Sequence, residues 1–268
     1  MTLFNQSGQS KSAAAPCRLP VSSAGKTESD EAFPVAMLLA RRHRPTVRRF
    51  YQLVRAADDL ADAPGLPVPE KRAALSAFRQ AASALPTQIA PCAEALIDAF
   101  AEDCANPPCP DWAATLHSAR RSSAPVGRML LILHDGDDQH AAAAADALCT
   151  ALQLLNHIGD AEADRQTLGR SYLPLDWLRE AGQDPAPVLA RMLAETRPLL
   201  TAARPLIRQI RDPRLAFQAA VTLACADRLA GLLRRRRDWR QPPHFGFFSL
   251  SAAVGHGLFL FLRLRWRA

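Results

Sequence analysis

Apolar residues recur at helical spacing along most of this 268-residue chain, and this periodicity is the strongest constraint on its fold. No run of residues alternates Val, Ile, Thr and aromatic side chains in the way that a half-buried strand does. Gly is scarce, at 12 residues, while Ala, Leu and Arg dominate, which favours helices over sheet. The sequence therefore predicts an all-α fold.

Prolines near the predicted helix starts divide the chain into consecutive helices. The predicted helices span 34–43, 45–63, 69–84, 88–103, 111–120, 125–134, 138–166, 174–181, 187–209 and 213–235. Residues 1–29 are small and polar without an apolar core, so we expect a flexible N-terminal tail rather than a secretory signal. The organised domain is expected to cover residues 30–268.

The C-terminal segment 245–262 is strongly apolar, and arginines stand on both sides of it. Its length is at the lower limit for a membrane span. Three alternatives stay open. The segment is a buried helix that caps the domain, an interfacial helix whose flanking arginines contact anionic headgroups, or a true span.

The charge balance of the chain points to anionic partners. The formal net charge is +7 and the sequence pI is about 9.5. Zinc-finger spacing, aromatic RNA-binding motifs and basic-zipper heptads are missing from the sequence, so we expect no nucleic-acid partner. The six cysteines form no CxxC pair, and Cys104, Cys109 and His117 lack a fourth zinc ligand. A reducing, cytoplasmic location is the simplest interpretation.

Two of the predicted helices each carry a polar stripe along one face. The first stripe consists of Tyr51, Arg55, Asp58 and Asp62, and the second of Gln153, Asn156, Asp160 and Asp164. Their spacing of three or four residues places each set on one side of a helix. Because both helices are otherwise apolar, we expect the stripes to face each other across a cleft where the carboxylates share a counter-ion.

Mg²⁺ is the counter-ion that suits these residues, because it prefers carboxylate and water oxygens and shares its shell with substrate phosphates. The expected metal ligands and catalytic carboxylates are Asp58, Asp62, Asp160 and Asp164, and Asn156 adds an amide oxygen. Tyr51, Arg55 and Gln153 offer hydrogen bonds to a diphosphate. A single Asp pair one turn apart is usually a solvated helix face, but two matched stripes favour a site.

The residues around both stripes resemble those of the squalene and phytoene synthases. The run Tyr51-Gln-Leu-Val-Arg-Ala-Ala-Asp-Asp-Leu-Ala-Asp62 resembles the first aspartate-rich region of that family. The segment from Gln153 to Asp164, followed by Gly169-Arg-Ser-Tyr-Leu-Pro174, resembles the second region and its tail. The Phe33-Pro-Val-Ala36 opening and Ser123-Ala-Pro-Val-Gly-Arg128 look most like the bacterial hydroxysqualene synthase branch of hopanoid biosynthesis.

The resemblance implies an isoprenoid-synthase helical bundle with a central cavity and a Mg²⁺-dependent reaction on a prenyl diphosphate. It implies that Arg170 also contacts the diphosphate. The expected reaction ionises presqualene diphosphate, rearranges the carbocation and lets water capture it. Condensation of two farnesyl or geranylgeranyl diphosphates is an alternative within the class. The resemblance leaves open contact with other enzymes of the same pathway.

Three positions depart from the family pattern. Gly159 stands where an Arg or Gln commonly precedes the first Asp of the second region. Ser118 occupies a position where a Tyr is frequent, and the C-terminal helix lacks its usual Tyr. These departures motivate a different alternative, a catalytically degenerate homologue that acts as a membrane-associated partner.

Overall fold

The computed structural model describes residues 39–137, 139–241, 243 and 247–265, and helices joined by turns make up this part of the chain. The helices are α1 Arg44–Asp62, α2 Val68–Ala81, α3 Ala90–Asp103, α4 Trp112–Arg121, α5 Ala124–Asp135, α6 Ala142–Thr167, α7 Leu175–Glu180, α8 Pro185–Ala203, α9 Leu206–Gln209, α10 Pro213–Arg235 and α11 Phe247–Arg265. The all-α prediction is confirmed. The predicted tail and the start of the domain at residues 30–38 lie outside the described residues.

Most helix bounds agree with the periodicity within a few residues, but the predicted helix 187–209 is wrong as a single element. The chain forms α8 up to Ala203 and then the short α9 from Leu206. Pro205 separates them, because it has no N–H to continue the helical hydrogen bonds. Pro198 lies inside α8 and is accommodated there. The predicted helix 34–43 is described only as a single 3-10 turn, Arg41–His43.

Helix α6 is the long central element of the bundle and packs against α4, α5, α8 and α10. Its inner face buries Leu154, Leu155 and Ile158 at 1% exposure or less. On the other side of the molecule, α1 packs against α2 and α3, and α3 in turn contacts α5. The helices that carry the two polar stripes thus belong to two packed groups joined through α3 and α5.

A buried carboxylate locks three of these helices together. Asp146 on α6 is 4% exposed and accepts hydrogen bonds from Arg128 on α5 at 2.9 and 2.8 Å and from Arg120 on α4 at 2.8 Å. Burial raises the pKa of Asp146, but the hydrogen bonds from Arg128 and Arg120 outweigh burial and hold this pKa below its ordinary value. Asp146 is therefore a structural anion rather than part of the polar stripe.

The C-terminal helix α11 packs along α10 and leaves one face open. Ala253 and Leu260 are buried, whereas Val254, Leu258, Phe259 and Leu262 are 40 to 55% exposed. Among the described residues, one helix, α10, is apolar and long enough to cross a membrane, and more than half of its apolar window is buried in the fold. The structure therefore shows α11 as a packed helix with an exposed apolar face.

Candidate active site

The first polar stripe lies on the half-buried side of α1. Phe50 and Leu53 are buried on the inner side of this helix, which fixes its rotation. The stripe residues are all half-buried: Tyr51, Arg55, Asp58 and Asp62. The predicted helix face is therefore present, and its carboxylates are partly withdrawn from water.

Arg55 pairs with carboxylates of its own helix. Its Nη2 lies 2.8 Å from Asp59 Oδ1, and its Nη1 lies 3.4 Å from Asp58 Oδ2. Asp59, which the stripe pattern does not include, is thus the nearest carboxylate to this guanidinium. A diphosphate bound by Arg55 has to share or displace these contacts.

The neighbouring arginines only partly neutralise the carboxyl of Asp58. Burial and the neighbouring charge of Asp62 raise its pKa from 3.8 to about 6, although Arg55 opposes them. Like charges one helical turn apart repel each other, so this carboxyl ionises only at a higher pH than an ordinary aspartate, and its charge at neutral pH is unfavourable unless a cation offsets it. The raised pKa indicates a place for additional positive charge.

The second stripe follows α6. Gln153 and Asp164 are half-buried, while Asn156 and Asp160 are exposed at the open side of the helix. All four predicted residues therefore share one accessible side of α6, while its opposite side forms the core.

A tight turn after α6 directs the chain back towards this stripe. The N–H groups of Leu168 and Arg170 both donate to the Asp164 carbonyl, at 2.9 and 3.2 Å. The second bond reaches back six residues, and the turn that it closes contains one residue in the left-handed conformation. Gly169 supplies it with φ of 62°. The turn aims Arg170 at the acidic side of the bundle.

Arg170, at the end of the turn after α6, pairs with a carboxylate of the first stripe. Its Nη1 lies 2.8 Å from Asp62 Oδ1 on α1, and its side chain is only 12% exposed. Its Nη2 donates to the Asp103 carbonyl at the end of α3, at 3.3 Å. Because the Arg170 backbone N–H also donates to the Asp164 carbonyl, this residue contacts the ends of both acidic helices, α1 through its guanidinium and α6 through its backbone.

Open space lies on both sides of this guanidinium. A cavity of about 170 Å³ is lined in part by Asp103, Arg170 and Tyr172. A smaller one, of about 10 Å³, is lined by His157, Asp164 and again Arg170 and Tyr172. Burial raises the pKa of the Asp103 carboxyl, which Arg170 partly offsets. Whether a larger central cavity joins these spaces stays a prediction.

The donor set fits a hard divalent cation that is completed by its substrate. Within residues 39–137, 139–241, 243 and 247–265, three or more His, Cys, Asp or Glu side chains nowhere converge closely enough to cage a metal. Mg²⁺ is usually held by one or two carboxylates together with substrate phosphates and water, so a preformed cage is not required. The raised pKa of Asp58 shows the unneutralised charge that such an ion would offset.

Sequence reasoning missed several residues of this site. His157 and Asp103 contact or face the Arg170 region, and Arg236 from the end of α10 donates its Nη2 to the Ile158 carbonyl at 2.8 Å. A Cβ at Gly159 would lie 3.6 Å from the Pro243 ring, an ordinary contact. The tertiary contact of Arg236 has no signal in the sequence. His157 lies inside the second motif, so the sequence alone could have identified it as a candidate residue of the site.

Comparisons with known proteins find relatives along most of this chain. The squalene/phytoene synthase family model matches residues 83–247. A hydroxysqualene synthase of Rhodopseudomonas palustris is 36% identical, and the match covers 82% of this chain and 85% of that protein. A hydroxysqualene synthase of Sinorhizobium fredii is 30% identical and covers 81% of this chain and 84% of that protein.

Solved structures show the same fold. The squalene synthase HpnC from Alicyclobacillus acidocaldarius superposes with a TM-score of 0.66 at 26% identity, covering 81% of this chain and 92% of that chain. A dehydrosqualene synthase solved with a ligand gives a TM-score of 0.74 at 16% identity, over 88% of this chain and 93% of that chain. The second likeness concerns the fold alone.

The helical bundle and these comparisons define an isoprenoid-synthase fold and an enzyme that processes prenyl diphosphates. The chain belongs to the squalene/phytoene synthase family. The resemblance of the sequence to this family is thereby confirmed.

Proposed function

We propose that this enzyme converts presqualene diphosphate to hydroxysqualene. The observation that carries the proposal is the pairing of Arg170, which directly follows the second acidic helix, with Asp62 on the first, in a chain whose relatives at 30–36% identity are hydroxysqualene synthases. The reaction breaks the bond between carbon and the diphosphate oxygen, and the diphosphate leaves with the electron pair. After rearrangement of the carbocation, water forms the new C–O bond and releases a proton.

We propose that Asp58, Asp62, Asn156, Asp160 and Asp164 hold Mg²⁺ around the diphosphate. The metal would supply positive charge that stabilises the departing diphosphate. Arg170 and Arg55 would donate to the diphosphate oxygens, and Tyr51 and Gln153 would add neutral hydrogen bonds. Because Arg170 and Arg55 already pair with Asp62 and Asp59, substrate binding exchanges carboxylate partners for phosphate partners.

A product analysis tests the reaction. Purified protein is incubated with Mg²⁺ and, separately, presqualene, farnesyl and geranylgeranyl diphosphates, and the lipids are identified by mass spectrometry. Hydroxysqualene from presqualene diphosphate alone supports the proposal. Presqualene diphosphate, squalene or phytoene from a linear substrate would move the assignment to a condensing enzyme. Folded protein that is silent with all three substrates would favour a catalytically degenerate partner. Loss of product on addition of EDTA, with recovery on excess Mg²⁺, tests the metal.

We also propose that the open face of α11 rests on an anionic membrane surface, on the cytoplasmic side. Val254, Leu258 and Leu262 are spaced by four residues, Phe259 lies beside them, and Arg263 stands at the end of this apolar face. Apolar side chains beside arginines are typical of interfacial helices. A hydrophobic substrate and product make this location useful, and other enzymes of hopanoid biosynthesis would meet the protein there.

Sedimentation with vesicles tests the surface. We expect binding to vesicles that contain an anionic lipid, weaker binding to purely zwitterionic vesicles, and loss of binding in Phe259→Ser. Ser251→Ala is the control, because Ser251 is an exposed polar residue of α11. Equal sedimentation of the wild type and Phe259→Ser would rule out this face.

A further inference from the structure

His157 makes a ring contact within the second acidic motif that the proposed metal and diphosphate contacts do not use. Its side chain lies in the core side of α6 and the residue is 6% exposed. The imidazole stacks on the ring of Tyr172, with ring centroids 3.6 Å apart and an interplanar angle of 23°. Tyr172 follows the turn after α6, so the stack ties this turn to the body of the helix.

Tyr172 in turn contacts the Arg170 guanidinium, which pairs with Asp62. Arg170 Nη1 donates to the Tyr172 hydroxyl at 3.1 Å, and the same Nη1 lies 2.8 Å from Asp62 Oδ1. A continuous series of contacts therefore runs from His157 on α6 through Tyr172 and Arg170 to Asp62 on α1. A shift of the tyrosine ring would move the guanidinium relative to Asp62.

We infer that His157 is a positioning residue: its ring holds Tyr172 in place and thereby sets Arg170 at the distance from Asp62 that diphosphate binding requires. This inference rests on the proposed function, because it assumes that the site binds a prenyl diphosphate. His157 itself is not expected to touch the substrate. Its contribution passes through Tyr172 and Arg170.

The face of the imidazole, and not its proton, performs this role. The His157 Nε2 is buried and has no hydrogen-bond partner within the described part of the chain. An apolar aromatic ring at this position should therefore serve as well as the histidine.

Two substitutions test whether Tyr172 needs the aromatic ring of His157 or only its apolar volume. His157→Phe keeps a ring that stacks on Tyr172, whereas His157→Leu keeps apolar volume without a ring. We expect His157→Phe to keep KM and kcat within about twofold of the wild type, and His157→Leu to raise KM for the diphosphate substrate about tenfold or more, as for other residues that orient a ligand-binding group. The pH profile should be the same for the wild type and His157→Phe.

A double-mutant cycle tests the route through Tyr172. Tyr172→Phe removes the hydroxyl that accepts from Arg170, so His157→Leu should cost less than about twofold in KM in that background. Wild-type kinetics in folded His157→Leu, an equal loss in His157→Phe, or an undiminished loss in the Tyr172→Phe background would each overturn the inference.

A readout without turnover keeps this inference separate from the proposed function. The chain has two tyrosines, so fluorotyrosine-labelled protein gives two ¹⁹F signals, which Tyr51→Phe assigns. His157→Leu should shift the Tyr172 signal and weaken calorimetric binding of pyrophosphate with Mg²⁺, whereas His157→Phe should preserve binding. If the wild type turns over no prenyl diphosphate, the reaction proposal fails while these measurements still decide on His157. An unmoved Tyr172 signal, or unchanged pyrophosphate binding, would refute the positioning role.

Discussion

Gly257 on α11 and Val221 on α10 are packed so closely that a Cβ at position 257 would lie 2.6 Å from the Val221 Cα. The atoms in the way are backbone, which does not yield as a side chain does. Gly257→Ala should therefore separate the two helices and destabilise the protein by about 1–3 kcal/mol, the usual cost of overpacking. Thermal unfolding measures this change.

Gly255 provides the matched control on the same helix. A Cβ at this position meets nothing within 4 Å. Gly255→Ala should be neutral or stabilise the protein by up to about 1 kcal/mol, because Ala is the better helix former. Equal melting temperatures for the two variants would contradict the close helix contact.

The Asp58 carboxyl should make stability depend on pH in the absence of metal. Burial and the charge of Asp62 raise the pKa of Asp58 in the folded protein to about 6, from an ordinary value of 3.8. The folded protein thus retains a proton that the unfolded chain releases, so the free energy of unfolding falls as the pH rises through this window. Asp58→Asn removes the penalty and should melt higher than the wild type at neutral pH in EDTA.

The same comparison at about pH 4 should show little difference, since the wild-type carboxyl is then mostly protonated in the folded protein. Mg²⁺ with pyrophosphate at neutral pH should raise the melting temperature of the wild type more than that of Asp58→Asn. A difference in melting temperature between the two proteins that does not change with pH would contradict the raised pKa of Asp58.

Removing the guanidinium of Arg170 should impair the reaction more than the fold. Lys carries the same charge but ends in one nitrogen, so it does not reproduce the contacts that Nη1 makes with Asp62 and the Tyr172 hydroxyl together with the contact that Nη2 makes with the Asp103 carbonyl. Arg170→Lys should lower kcat/KM about 100-fold, as expected when a preorganised donor to a leaving group is lost. Arg191→Lys is the control, because Arg191 pairs with Glu180 at the surface. Similar kinetics in both variants would exclude a special role for Arg170.

Two glycines with the same left-handed backbone allow the effect of backbone strain on stability to be separated from an effect on the position of Arg170. Gly169 and Gly182 both have φ of 62°, and a Cβ at either position would meet nothing within 4 Å. Alanine at either should cost about 1–2 kcal/mol of stability through the left-handed backbone alone. Only Gly169→Ala should also lower kcat/KM, because only Gly169 precedes Arg170. An equal effect of both variants on activity would speak against the turn as an aiming device.

Loss of a single stripe carboxylate should stop turnover while the helices persist. Asp58→Ala and Asp160→Ala each remove a proposed Mg²⁺ ligand, and we expect no detectable product from presqualene diphosphate with an unchanged far-UV circular dichroism spectrum. Asp98→Ala, which removes an exposed carboxylate paired with Arg79 at 3.0 Å, should leave turnover intact. Wild-type activity in either stripe variant would remove that residue from the metal assignment.

The sequence predicted the helices and the helix faces, since both follow from short-range periodicity and proline positions. It did not predict the break at Pro205, because Pro198 has the same chemistry and yet is accommodated within α8. The partner of each charge also lay beyond sequence reasoning. Arg55 pairs with Asp59 on its own helix, while Arg170 reaches Asp62 across the bundle, and only tertiary packing decides between such partners.

The contact between Asp62 and Arg170 also bears on the order in which the protein folds. These residues lie far apart in the chain, and the intervening helices have to dock before the pair can form. Closing so long a loop costs conformational entropy, and the contacts that offset this cost form only near the end of folding. We therefore expect metal and diphosphate to bind the finished fold and not its precursors, so that both ligands slow unfolding without accelerating folding.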